Sequence, residues 1–271
     1  MSLPSVLRPT WVRYQVLAVA CSLAVLTYLQ RQGFVSSTPY IKEDLDLDDE
    51  QFGFLASAWL VAYGLFQMPG GLLGDRLGAR HLLALLVLAW SLLVGLAALA
   101  PLFPPGSGSL FAFLLVVRFL FGGLQAGGFP ALARVVADWV PARNRGLAQG
   151  MIWTSSRLGG FLAPLLALWL IRGTGGWQGP LWLLAGLGWA WCAGFWLWFR
   201  DRPEGHPAVN AAELALLPRP EPARRDPVPW RRFLSSPSVW GLCLMYGFVG
   251  FSGNFITSLL PIYLRDHRKL D

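Results

Sequence analysis

Charge is what this sequence has least of: 14% of its residues are Asp, Glu, Lys or Arg, against 55% that are hydrophobic. A soluble domain needs a charged surface, so the shortage excludes one and leaves an all-helical chain that crosses a lipid bilayer many times. Lysine is nearly missing. Lys42 and Lys269 both stand in loops, which excludes a retinal pigment, because such a protein needs a lysine inside its last span. Cys21, Cys192 and Cys243 all fall inside apolar runs and give neither a disulfide framework nor metal-ligand spacing. His81, His206 and His267 lie at span edges or in loops, far apart in sequence, so no metal site is expected. The spans hold no paired catalytic carboxylates and no Ser/His dyad, so the reading is of no enzyme, no catalytic residue and no cofactor. The net charge of +7 sits mostly at the ends of apolar runs. That placement marks membrane orientation and excludes nucleic acid as a partner.

What is there is a series of seven apolar runs, each long enough for the roughly 20 residues that cross a bilayer. They are expected at 12–34, 51–73, 82–100, 110–137, 147–171, 179–199 and 239–264. The first lacks a small-residue cleavage site and reads as an anchor helix. An acidic segment, 42–50, separates the first two and belongs in water. Arg76 and Arg80, then Arg134, Arg143 and Arg145, then the arginines of 200–237, fall on alternate loops, which places the N-terminus in the cytoplasm. Arg265, Arg268 and Lys269 break that pattern weakly. Trp182, Trp189, Trp191, Trp196 and Trp198 of the sixth run are expected at lipid-facing and interfacial positions. The expected domains are a six-helix bundle over 1–199, a flexible basic Pro/Arg-rich linker over 200–237, and a seventh helix over 238–271.

Gly71-Leu72-Leu73-Gly74-Asp75-Arg76-Leu77-Gly78-Ala79-Arg80 is caught between the second and third runs. It reads as a tight hinge in which Gly71, Gly74 and Gly78 let helix ends turn and Asp75, Arg76 and Arg80 pair with helix ends. The pattern Gly-x-Leu-Gly-Asp-Arg-x-Gly-x-Arg resembles the signature loop of the major facilitator superfamily of transporters. Tyr28-Leu29-Gln30-Arg31, Arg118-Phe119-Leu120, Gly123-Leu124-Gln125-Ala126, Phe129-Pro130, Trp139-x-Pro141 with Arg145-Gly146, and Asp201-Arg202-Pro203-Glu204 with His206-Pro207 resemble its anion:cation symporter branch. Trp153-Thr154-Ser155 and the position of Gln125 are similar to the organophosphate antiporters. The resemblance implies twelve helices in two six-helix halves with the substrate cavity between them, and a chain that stops one helix into the second half. It also implies a cell-membrane carrier of a small organic anion, such as a carboxylate or sugar acid.

A charge inside a span costs about 2.5–3.5 kcal/mol and needs a partner, a wet cavity or room to snorkel. Arg157 lies about ten residues into the fifth run, too deep to snorkel, and reads as an anion holder or as half of an internal ion pair. Arg31 shares a helix face with Tyr28 and stands near enough to the outer end for snorkelling to compete with function. The resemblance assigns Arg31 to the substrate anion, and Tyr28 and Tyr63 to the cavity wall. It also gives Asp75 the inner gate, together with Arg76, Arg80, Gly71 and Gly78, Asp75 meeting helix N-termini or Arg143 and Arg145. In the symporters the positions of Gln30 and Gln125 are acidic and proton-coupled, with the Arg118 position as ion partner. Glutamine does not titrate, and no Asp or Glu lies well inside a span, so the coupling ion stays open. The two glutamines read equally as helix-to-helix hydrogen bonds or as substrate contacts. The alternatives to an organic anion carrier are an organophosphate-type exchanger and a seven-helix receptor or non-transporting fragment.

Overall fold

Seven apolar runs set the problem the backbone has to solve, because every N–H and C=O inside lipid must be paired within the chain. The answer is helix throughout. A computed structural model describes residues 8–217 and 230–254, apart from the side chains of Asp75, Trp230, Phe251 and Asn254, and contains no strand among them. The helices are α1 (Val12–Ser36), α2 (Thr38–Leu45), α3 (Asp49–Leu77), α4 (Ala79–Ala97), α5 (Gly108–Ala126), α6 (Gly128–Trp139), α7 (Arg145–Thr174), α8 (Gln178–Trp198) and α9 (Ala211–Leu214), followed by α10 (Trp230–Leu234) and α11 (Pro237–Asn254). Six stretches among the described residues are long and apolar enough to span a membrane: α1, α3, α4, α5 with α6, α7 and α8. Residues 1–220 and 221–271 form two separate units.

Within the first unit α1 packs along α7, α3 along α5, and α4 along α8. In α4, 61% of the apolar stretch is buried, against 11% in α3 and 28% in α7. The core therefore lies around α4, where Leu82, Leu83, Val87 and Trp90 are fully enclosed. α3 and α7 present broad outer faces, including Leu65, Phe66, Phe161 and Trp169.

The expected hinge at 71–80 is almost entirely helical. α3 runs on to Leu77 and α4 starts at Ala79, so Gly71 and Gly74 turn nothing. Gly78 alone breaks the path, with φ +79, a value that favours glycine. The fourth span also differs from the single helix expected over 110–137. It is interrupted at Gly127, because Pro130 has no N–H to offer the carbonyl of Ala126. The acidic segment 42–50 is partly helical. Ile41, Leu45 and Leu47 turn inward while Glu43, Asp44, Asp46 and Asp48 stay exposed, and Asp48 closes a capping box with Gln51 at the start of α3. Asp44 accepts from the Trp177 indole at 2.8 Å, which fastens α2 to the turn before α8.

The region expected as a flexible linker over 200–237 begins with an ordered strap. Asp201 accepts from the Arg80 N–H at 2.8 Å, at the start of α4. His206 is 4% exposed, with its ring edge-on to Trp139 and Trp198. Burial, and next the Arg200 charge, hold its pKa below the ordinary value, against a Trp198 backbone hydrogen bond and Glu213 that raise it. Glu213 is fully buried and reaches the other terminus of the bundle sequence. It accepts from the Thr10 hydroxyl, from Val12 N–H at 3.3 Å and from Arg13 N–H at 3.0 Å, so a carboxylate 200 residues downstream caps α1. Asn210 caps α9 through Glu213 N–H and donates to the Arg8 carbonyl at 2.8 Å. α1 has no side-chain cap of its own. Glu213→Ala leaves these donors unpaired in a buried place and is expected to cost about 2–4 kcal/mol. Thermal unfolding in detergent checks this, and an unchanged melting temperature rules the strap out as a structural clasp.

In the second unit α10 is tied to α11 by the Trp240 indole, which donates to the Leu234 carbonyl at 2.9 Å. Arg219, Arg224 and Arg225, the last part of the seventh span (255–264), and His267 with the basic tail at Arg265, Arg268 and Lys269 lie outside the described residues.

Candidate functional site

The site is built where α1 meets α3, α5 and α7. Tyr28 and Arg31 share one face of α1, and Trp59 and Tyr63, four apart, share one face of α3. The helix crossings let the four side chains converge. Gly122 of α5 lies so close to the Trp59 carbonyl oxygen that a Cβ would overlap it, and Gly159 of α7 stands in the same relation to the Val25 carbonyl oxygen of α1.

The guanidinium of Arg31 is enclosed by three aromatic rings, with its carbon 4.6 Å from the Trp59 centroid and 4.8 Å from those of Tyr28 and Tyr63. Each such contact is worth about 0.5–2 kcal/mol, more where water is kept out. Arg31 Nε donates to Gln125 Oε1 at 3.2 Å, and the amide of Gln125 donates in turn to the Thr27 carbonyl at 3.2 Å. Nη2 of Arg31 is buried and has no hydrogen-bond partner, and the residue makes no ion pair among the described residues. A guanidinium held flat by aromatic walls, with one edge committed to an amide and the other edge free, is prepared to receive a planar anion by two parallel hydrogen bonds.

The sequence-derived assignments divide here. Arg31, Tyr28, Tyr63 and Gln125 come together. Arg118, whose position is the ion partner of the Gln30 and Gln125 positions in the symporters, pairs with neither glutamine here. Arg118, 5% exposed, lies over Phe34 at 4.5 Å and Phe121 at 5.6 Å, and its Nε has no partner. An amide does not draw a guanidinium as a carboxylate does, and Arg118 settles on aromatic faces instead. Gln30 donates to Ser91 Oγ at 2.9 Å and to the Leu184 carbonyl at 2.8 Å, so of its two open readings it makes the helix-to-helix hydrogen bond. Its Oε1 is buried without a partner, and the residue lines a small cavity with Arg118 and Phe34. A roomier groove between Phe66, Gly70, Leu86, Phe119 and Gly123 is apolar throughout and offers an anion nothing.

Arg157 is exposed on α7 and makes no ion pair among the described residues. It does not join the Arg31 cage directly, but it shares a helix face with Trp153, which stacks on Phe129 at 4.9 Å, and Phe129 meets Tyr28 edge-on at 6.2 Å. Sequence reasoning missed Trp59, and it marked Phe129 and Trp153 as points of resemblance without placing them at the site. The spacing of Trp59 to Tyr63 carried the signal for the first, since four residues apart on a helix means one face.

Of the charged hinge residues, Arg80 is engaged against α8. Arg80 Nε and Nη2 both donate to the Trp196 carbonyl, at 3.2 and 2.6 Å, with the guanidinium over the Trp196 ring at 4.7 Å. Arg145 donates to the carbonyls of Ala137 and Val140 and caps the end of α6. Arg76 is exposed, as is Arg143. The Asp75 side chain lies outside the described ones.

A bundle of six candidate spans enclosing an arginine is the architecture of a multi-pass membrane protein. The sequence profile of the Major Facilitator Superfamily matches residues 20–271, and the chain belongs to that family. It is similar to a probable sulfoacetate transporter of Cupriavidus necator, 29% identical over 96% of this chain and 59% of the relative. It is also similar to a probable L-galactonate transporter of Escherichia coli, 30% identical over 92% of this chain and 53% of the relative. A probable galactarate/D-glucarate transporter of Bacillus subtilis is 31% identical over 78% of this chain and 45% of the relative. Among solved structures, a bacterial homolog of the human lysosomal transporter Spinster, inward-facing and unoccupied, shares the fold with a TM-score of 0.69 at 21% identity, over 95% of this chain and 57% of that one. The chain thus spans about half the length of these proteins.

Proposed function

We propose that the full-length protein carries a small organic anion, a carboxylate or sugar acid, across the cell membrane by alternating access. The observation that carries this is the free edge of the Arg31 guanidinium in its aromatic cage. The carboxylates of the described spans, Asp49, Glu50, Asp75 and Asp138, all sit in first or last helical turns, and none of the described residues gives Arg31 an ion pair. The similarity to probable transporters of sulfoacetate, L-galactonate and galactarate or D-glucarate supports the same substrate class.

In this reading Arg31 grips the anion, Tyr28, Tyr63 and Gln125 orient it, and Arg157 adds a second guanidinium. The six-helix bundle over 1–199 is the first half of the carrier, the linker over 200–237 follows it, and the helix over 238–271 is the first member of a second bundle. The N-terminus lies in the cytoplasm. The inner gate is controlled through Gly78 and the Asp75, Arg76 and Arg80 group, with Gly71 nearby. Neither Gln30 nor Gln125 titrates, so a uniporter, an exchanger, or a carrier coupled through residues outside these spans fits better than proton coupling at this pair.

The test is a tryptophan-fluorescence titration of the purified full-length protein with galactonate and galactarate. Trp59 and Trp153 stand beside the site, so saturable quenching is expected, competed by unlabelled organic acid and lost with a neutral polyol. A response to the polyol equal to that of the acids sinks the anion reading.

A further inference from the structure

One phenol, that of Tyr28, lies between the Arg31 guanidinium and the face of α7 that carries Arg157. Arg31 lies over the ring of Tyr28 at 4.8 Å. On α7, Gly160 faces the same ring, since a Cβ there would stand 3.5 Å from Tyr28 Cδ1. Arg157 is three residues before Gly160 and four after Trp153, and residues so spaced are helix-face neighbours about 5–6 Å apart at Cβ. Arg157 is thus placed beside Tyr28 on the side opened by Gly160, with the Trp153–Phe129 stack running along the same face. It lies twelve residues into α7, about 18 Å from the start of the helix, too far to reach a lipid phosphate at that end.

We propose that Arg31 and Arg157 form a paired site that selects dianions, organic acids with a charged group at each end of a short chain, over monoanions of the same length. The proposal rests on the reading of Arg31 as the anion holder. A monoanion neutralises one guanidinium and leaves the other uncompensated close by, where like charges repel. A dianion places one acidic group on each. Tyr28 stands between them with a hydroxyl for the middle of the chain, and the faces of Phe129 and Trp153 accept its C–H edges. Selection against the monoanion is then built from an unpaired charge, the repulsive element that specificity requires.

Matched pairs test this without knowledge of the natural substrate. Galactarate and galactonate differ only in one terminal carboxylate, and sulfoacetate and acetate differ only in a sulfonate. In fluorescence titrations of the full-length protein at neutral pH, the dianion of at least one pair is expected to bind tenfold or more tightly than its monoanion. In Arg157→Gln that ratio is expected to fall to within about twofold, and in Arg157→Lys to lie between. A ratio near one in both pairs for the wild-type protein overturns the pairing and requires no variant to fold. A ratio left intact by Arg157→Gln also overturns it. Saturable binding of acids without a preference leaves the anion carrier standing and removes only the paired site, whereas no binding of any of the four acids removes both.

Discussion

Arg31→Gln in the full-length protein is expected to weaken organic-acid binding by two orders of magnitude or more. The free edge of the guanidinium offers two charge-assisted hydrogen bonds, each worth about 1.5–3 kcal/mol, and about 1.4 kcal/mol is a factor of ten in affinity. Glutamine keeps some length and polarity but loses the charge and the fork. Arg31→Lys separates those two losses. A lysine keeps the charge, yet its ammonium is a strongly hydrated point that gives up the flat fit between Tyr28, Trp59 and Tyr63, so it is expected to recover about a tenth of the lost affinity. Titration by tryptophan fluorescence reads all three proteins, with thermal unfolding as the control for folding. Affinity within threefold of wild type in Arg31→Gln ends the assignment of Arg31 as the anion holder.

The cage shows where sequence reasoning reached and where it stopped. Arg31 with Tyr28 was legible because three residues on a helix fix one face whatever surrounds it. Gln125 was legible as a participant but its partner was not. Its sequence neighbour seven residues away is Arg118, while the crossing of α1 with α5 brings it to Arg31 instead, and no spacing within one helix encodes a crossing. Trp59 supplies the closest ring of the cage from a third helix, for the same reason. At the hinge, three glycines read alike in the sequence, and only the backbone separates Gly78, with its positive φ, from Gly71 and Gly74 inside α3. The strap failed differently. Residues 201–217 are rich in Pro, polar and charged groups, the composition of a linker, and their order depends on Glu213 meeting donors 200 residues earlier, at Thr10, Val12 and Arg13.

Gly122 couples packing to the site, and its substitution is expected to damage both. A Cβ at this position overlaps the Trp59 carbonyl oxygen, which belongs to a backbone and does not swing away as a side chain does. Alanine must therefore push α3 from α5. Overpacking costs about 1–3 kcal/mol, and the better helix propensity of alanine returns up to about 1 kcal/mol. The net expectation for Gly122→Ala is a loss of about 1–2 kcal/mol, and for Gly122→Val a loss large enough to reduce the folded yield. Gly186→Ala on α8 is the control, because its Cβ meets nothing within 4 Å, and it is expected to be neutral or slightly stabilising. The functional consequence follows from which residue moves. Displacing Trp59 shifts the ring 4.6 Å from the Arg31 guanidinium and loosens its hold on the orientation of the free edge, so Gly122→Ala is also expected to weaken anion binding several-fold. If Gly122→Ala and Gly186→Ala melt at the same temperature, α3 and α5 do not approach as closely as the helix crossing requires. Should Gly122→Ala lose stability but keep full affinity, Tyr28, Tyr63 and Gln125 suffice to aim Arg31, and Trp59 contributes to the wall of the cavity but not to the grip.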